Sequence, residues 1–206
     1  MRTGIILACL AVPLAASASF ELILALDATT KSIHRFDGDT GAYLGAFGSN
    51  KLVAPRNMVI SQATGRAYVL DGNYIKKFDY NTGEYVGLFP APVLVGAAVK
   101  MGRANDGTIL IPTGDHRIRK VNDAGTILQT LIAANTNFKY SAAAQLPNGN
   151  IVGIEGDTTA YGSKYMDYWF PGGGFNSGTN LGLMTNTTNI AVGQWQENTT
   201  AGLVAS

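Results

Sequence analysis

The chain has 206 residues, 25 of them glycine, with 14% charged and 46% hydrophobic residues and a formal charge of +1. Length and composition describe one turn-rich, weakly charged folding unit, too apolar for a disordered chain and without the Gly-X-Y period of collagen. Near-zero charge removes the long-range field that would draw nucleic acid or acidic lipid, so neither is an expected partner.

Residues 1–18 read as an export signal: Arg2 is followed by an apolar run from Ile5 to Ala16 and the small-x-small site Ala16-Ser17-Ala18. The alternative is a buried N-terminal strand or short helix. Cleavage after Ala18 removes Cys9, the single cysteine, so neither disulfides nor thiolate ligands are expected in residues 19–206. No later segment reaches the ~20 apolar residues that span a bilayer, so no transmembrane anchor is expected. A secreted or periplasmic location follows from the signal.

Past the signal, the chain repeats itself at an offset of 42 residues. Arg35-Phe36-Asp37-Gly38-Asp39-Thr40-Gly41-Ala42-Tyr43-Leu44-Gly45-Ala46-Phe47 returns as Lys77-Phe78-Asp79-Tyr80-Asn81-Thr82-Gly83-Glu84-Tyr85-Val86-Gly87-Leu88-Phe89. A shorter copy runs from Lys120 to Leu131 and keeps the glycine series 41, 83, 125; a second series, Gly65, Gly107 and Gly149, has the same spacing. Runs of four to six β-favouring residues between Asp/Asn/Gly turns predict strands throughout. In the second repeat they are Asn57 to Ser61, Ala67 to Leu70, Tyr74 to Phe78 and Tyr85 to Phe89. The apolar residues of Ile33-His34-Arg35-Phe36, Ile75-Lys76-Lys77-Phe78 and Ile118-Arg119-Lys120-Val121 stand at odd separation and point to opposite strand faces. Such a strand belongs in a sheet packed on both sides.

Four strands in about 42 residues predict an all-β protein built as a β-propeller of four-stranded antiparallel blades. The repeats fall at about 20–47, 52–89, 93–131 and 138–183, giving about four blades, with 188–204 expected to close the ring as the strand that the first blade lacks. An incomplete larger propeller, open to oligomer formation, is the alternative. The Phe-Asp-x-x-Thr-Gly-x-Tyr-(Leu/Val)-Gly-x-Phe repeat, with Pro55-Arg56-Asn57-Met58-Val59-Ile60 and Thr64-Gly65-Arg66-Ala67-Tyr68-Val69-Leu70-Asp71 between copies, resembles the NHL-type and SMP-30/gluconolactonase-like propellers of exported bacterial proteins. The resemblance covers residues 22 to 156 and implies the fold rather than an activity, since such propellers host hydrolases, lyases and binding modules alike. Relatives usually close with six blades.

Candidate chemistry comes from polar residues at matching blade positions. Asp27, Asp71 and Asp115 recur at spacings of 44, and Glu155 falls near the matching place in the fourth repeat. Together they would suit Ca²⁺ or another divalent cation, whereas singly each caps its own turn. Asn57 would join such a set in the SMP-30 manner, and His116 with Glu155 is the one pair that would imitate a streptogramin-lyase-like site. Asn57, Asp71, Asp115, His116 and Glu155 are therefore the candidate ligand-binding residues. No nucleophile elbow, zinc-protease helix or phosphate loop occurs, so no cofactor is implied beyond a divalent ion. The basic runs His34-Arg35, Lys76-Lys77 and Arg117 to Lys120 read either as a stripe for an anionic polymer or as strand ends balanced by the aspartates. Tyr161, Tyr165, Tyr168, Trp169 and Phe170 read either as a stacking surface or as core. A non-catalytic module for a protein or carbohydrate ligand is the leading expectation; a metal-dependent hydrolase or lyase, or a truncated propeller, is the alternative.

Overall fold

The computed structural model describes residues 22–89, 100–113, 115–132, 139–156, 165–180, 190–194 and 201–205; the export signal expected at 1–18 and, of the aromatic cluster, Tyr161 lie outside them. The first sheet holds β1 (Leu22–Asp27), β2 (Ser32–Asp37) and β3 (Tyr43–Phe47). The second holds β4 (Pro55–Ser61), β5 (Arg66–Asp71), β6 (Tyr74–Asp79) and β7 (Tyr85–Leu88), within two residues of the strands that the sequence predicts. The third holds β8 (Gly102–Arg103), β9 (Ile109–Thr113), β10 (Arg117–Val121) and β11 (Ile127–Ile132), and the fourth β12 (Lys139–Gln145), β13 (Ile151–Gly156), β14 (Tyr165–Trp169) and β15 (Phe175–Asn180). All pairings are antiparallel between consecutive strands. The fold is all-β, with three four-stranded sheets.

The repeated sequence produces repeated local chemistry. Asp37 Oδ1 accepts from Asp39 N (3.2 Å), Thr40 N (2.7 Å) and Thr40 Oγ1 (2.7 Å), and Asp79 Oδ1 does the same for Asn81 N, Thr82 N and Thr82 Oγ1. Each turn then closes on a glycine at positive φ, Gly41 at 70° and Gly83 at 81°, a conformation open to residues without a Cβ. Beyond the turn, each of these four sheets carries a bulge between its last two strands, at Arg35/Phe36, Lys77/Phe78, Lys120/Val121 and Tyr168/Trp169. Bulged outer strands resist edge-to-edge pairing.

Apolar side chains on both strand faces stack the sheets. Ala67, Val69 and Phe78 of the second sheet pack with Ile33 of the first, while Tyr68, Leu70 and Ile75 on its other face pack with Ile109, Ile111 and Val121 of the third. Leu110, Ile118 and Leu131 then meet Tyr140, Ile151 and Trp169 of the fourth. Trp169 is thus core, 1% exposed, whereas Phe170 is exposed. First strands of successive sheets neighbour one another, β4 beside β8 and β8 beside β12. The approach is close: a Cβ on Gly102 would stand 1.9 Å from the carbonyl oxygen of Ala143.

One expectation is corrected. Segment 188–204 was to complete the first sheet, yet β16 (Ile190–Gln194) and β17 (Ala201–Ala205) pair with each other in a separate two-stranded sheet, with β16 beside β12. Among the described residues β1 pairs only with β2. The hairpin satisfies its own ladder locally, which a strand added to β1 would have to achieve across the whole chain. The first sheet also keeps an uncovered face: Ile23 is 52% exposed, whereas Ala67, Ile109 and Ile151 at the same register position are buried.

Candidate functional site

In the first three sheets β1 and β5 end on an aspartate and β9 on a threonine, and register rather than sequence spacing decides which. Asp27 pairs with Ser32, Asp71 with Tyr74 and Thr113 with Arg117, so Thr113 takes the place of the acid in the third sheet and Asp115 stands two residues beyond it, in the turn. Opposite each acid the following strand supplies a basic side chain. Asp27 lies 3.7 Å from His34 Nε2, Asp71 2.5 Å from Lys76 Nζ, and Asp115 2.5 Å from Arg119 Nη2. Two positions after the third-sheet acid, Arg117 adds a second contact to Asp115 at 3.1 Å. In the fourth sheet the cation position carries Asp167, which is buried and accepts the Tyr140 hydroxyl at 2.6 Å.

These acids are occupied by their own chain. Asp71 is 3% exposed and takes Val53 N–H at 2.9 Å, Ala54 N–H at 2.5 Å and the Lys76 ammonium. Burial alone would raise its pKa, but the Lys76 ammonium and the two N–H donors outweigh it and hold the carboxyl below its ordinary value. The Arg119 guanidinium, helped by Thr113 and Arg117 against burial, holds Asp115 well below the usual carboxylate range. Thr29 and Thr30 N–H and the Thr30 hydroxyl clamp Asp27. Asn57 Oδ1 accepts Met101 N–H at 2.8 Å, tying the second sheet to the segment that enters the third. His116 occupies the β9–β10 turn at φ 64°, and Glu155 pairs with Tyr140 in β13, its side chain lying outside the described residues.

The structure therefore gives Asn57, Asp71 and Asp115 separate partners, and among the described residues no group of three or more His, Cys, Asp or Glu side chains is placed to hold a metal ion. The basic runs are likewise engaged. Arg35 donates to Asn81 O at 2.6 Å and Lys77 to Asp123 O at 3.2 Å, each reaching the outer turn of the following sheet, and Lys120 pairs with Asp106. The stripe is made of ties, between sheets at Arg35 and Lys77 and within a sheet at His34, Lys76, Arg117, Arg119 and Lys120.

What Asp71 does adjoin is a half-open cleft of about 460 Å³ at the β5–β6 turn of the second sheet. Its lining comprises Val53, Asp71, Asn73, Tyr74, Lys76, Tyr85 and Leu88 among others, and its walls are mostly apolar. Tyr74 is 57% exposed, and Val53 and Leu88 are exposed too. Asp71 pins residues 53–54 from below, so the wall carrying Val53 is anchored. Sequence reasoning picked out Asp71 and, in a basic run, Lys76, and missed the rest; the signal was the tyrosine of the repeated Thr-Gly-x-Tyr, which register sets opposite Phe78 as Tyr85 and opposite Phe36 as Tyr43, whose hydroxyl lies 3.1 Å from His34 Nδ1.

Compared with known protein families and with curated proteins, the chain matches none. Among the described residues no helix is long and apolar enough to cross a membrane.

Proposed function

We propose that the chain is an exported β-propeller of the NHL type that acts as a non-catalytic binding module, with its ligand seat in the cleft beside Asp71. The single observation that carries this reading is the contrast between the acids and the cleft: Asn57, Asp71 and Asp115 are spent on holding the chain together, while Tyr74, Val53 and Leu88 stand exposed around a cleft of about 460 Å³, within the range of small-ligand sites. Four-stranded sheets stacked face to face, with neighbouring first strands, support the propeller, and the leader read in residues 1–18 supports export.

The test is a thermal-shift screen of the full chain against a chemically mixed panel of peptides and saccharides, repeated on Tyr74→Ala and on His116→Ala. Stabilising ligands are expected to lose their effect in Tyr74→Ala and keep it in His116→Ala. Ligands that depend on His116, or that are turned over, would favour the hydrolase or lyase alternative.

A further inference from the structure

We infer that the cleft takes a short acidic peptide, seating one apolar side chain between Val53, Tyr74 and Leu88 while flanking carboxylates meet Lys51 and Arg56. This rests on the binding-module reading and adds the ligand class. The apolar half of the argument is exposure: Val53 at 68%, Tyr74 at 57% and Leu88 at 52% converge on one cleft instead of being scattered. Contiguous exposed apolar surface framed by polar groups marks a recognition site. Because Asp71 already clamps residues 53–54, that surface is preorganised and little ordering cost falls on binding.

The charge half follows from subtraction. Asp71 is the one acid in the lining; its oxygens are taken by Val53 N, Ala54 N and Lys76, so its charge is cancelled and no carboxylate remains to repel an anion. Lys51 lies over the Tyr85 ring, 5.4 Å from its centroid, and its carbonyl oxygen accepts from the Lys76 ammonium; Arg56 donates to Gly72 O at the cleft's rim. Both are exposed, and among the described residues neither has a carboxylate at ion-pair distance. Within the lining Asp71 and Lys76 cancel, and Lys51 and Arg56, each held against a lining residue, add positive charge at the rim beside an apolar wall. A peptide fits better than an acidic sugar, since Val53 and Leu88 give the lining aliphatic surface and Lys51 already lies over the Tyr85 ring, leaving Tyr74 as the well-exposed ring of the lining on which a saccharide would stack. Exposed tyrosine with arginine is also the composition of protein-recognition hot spots.

The experiment is fluorescence anisotropy of the full chain with labelled hexapeptide probes: one alternating Glu and Trp, one with Lys for each Glu, one with Ala for each Trp, and a uronic-acid hexasaccharide. The Glu/Trp peptide is expected to bind at least about tenfold more tightly than the other three, roughly the worth of one charge-assisted contact. Arg56→Glu and Tyr74→Ala, checked for unchanged thermal unfolding, are each expected to cost that peptide about tenfold. Equal binding of the Lys peptide, or tighter binding of the saccharide through the cleft, would overturn the acidic-peptide assignment and leave the binding-module reading standing. Indifference of every probe to both variants would count against both.

Discussion

Phe78→Ala is expected to lower the unfolding free energy by about 3–5 kcal/mol, and Phe36→Ala by only about 1–2 kcal/mol, although both residues occupy the same place in the repeat. Phe78 is fully buried between the first and second sheets, with ring centroids of Phe47 and Tyr85 at 5.7 and 5.4 Å. Its removal leaves an enclosed void. Phe36 touches Tyr43 at 5.4 Å on the uncovered face of the first sheet and is half-buried, so its removal sacrifices contact area without leaving a sealed cavity. Urea unfolding of the two variants against the parent reads the difference. Equal losses would show that this face is covered in solution.

Asp71→Asn is expected to cost about 3 kcal/mol at neutral pH, because it strips the partner from a Lys76 that is itself only 13% exposed. Replacing both, as Asp71→Asn with Lys76→Met, is expected to recover much of the loss, since a buried pair removed together leaves no stranded charge. The pH dependence fixes the sign. Asp71's folded pKa lies below its unfolded value, so its stabilisation is complete above the ordinary carboxyl range of about 4 and is lost as pH falls through the lower folded value. The asparagine does not titrate at this position. The gap between parent and Asp71→Asn should therefore be widest near neutrality and shrink in acid; a gap constant down to acid pH would mean that the Lys76 pair contributes nothing.

The turn chemistry was legible in the sequence because it is local. An aspartate accepting N–H groups two and three residues on, then a glycine at positive φ, needs nothing beyond the five residues that spell it, and Asp37 and Asp79 behave alike. Strand positions in the second repeat were legible for the same reason. What could not be read was the partner of each acid. The loops between second and third strands differ in length, so Asp27 meets His34, Asp71 meets Lys76 and Asp115 meets Arg119 at three different sequence separations. Counting spacings of 44 grouped Asp115 with the strand ends, where pairing puts Thr113. The role of 188–204 was misread because pairing between distant strands has no local sequence signal: β16 found β17 rather than β1. The cleft was illegible for a related reason, since its lining gathers residues from 53 to 88 that only the pairing of the second sheet brings together.

The most direct test of the account is thermal unfolding of the full chain across a concentration series of Ca²⁺, Mg²⁺, Mn²⁺ and Zn²⁺, alongside Asp71→Asn and Asp115→Asn. The account predicts that no cation raises the unfolding temperature of the parent, because Lys76 and Arg119 already occupy the carboxylates a metal would need. A saturable rise with one cation that vanishes in Asp71→Asn or Asp115→Asn would contradict it and return the repeated acids to the role of metal ligands.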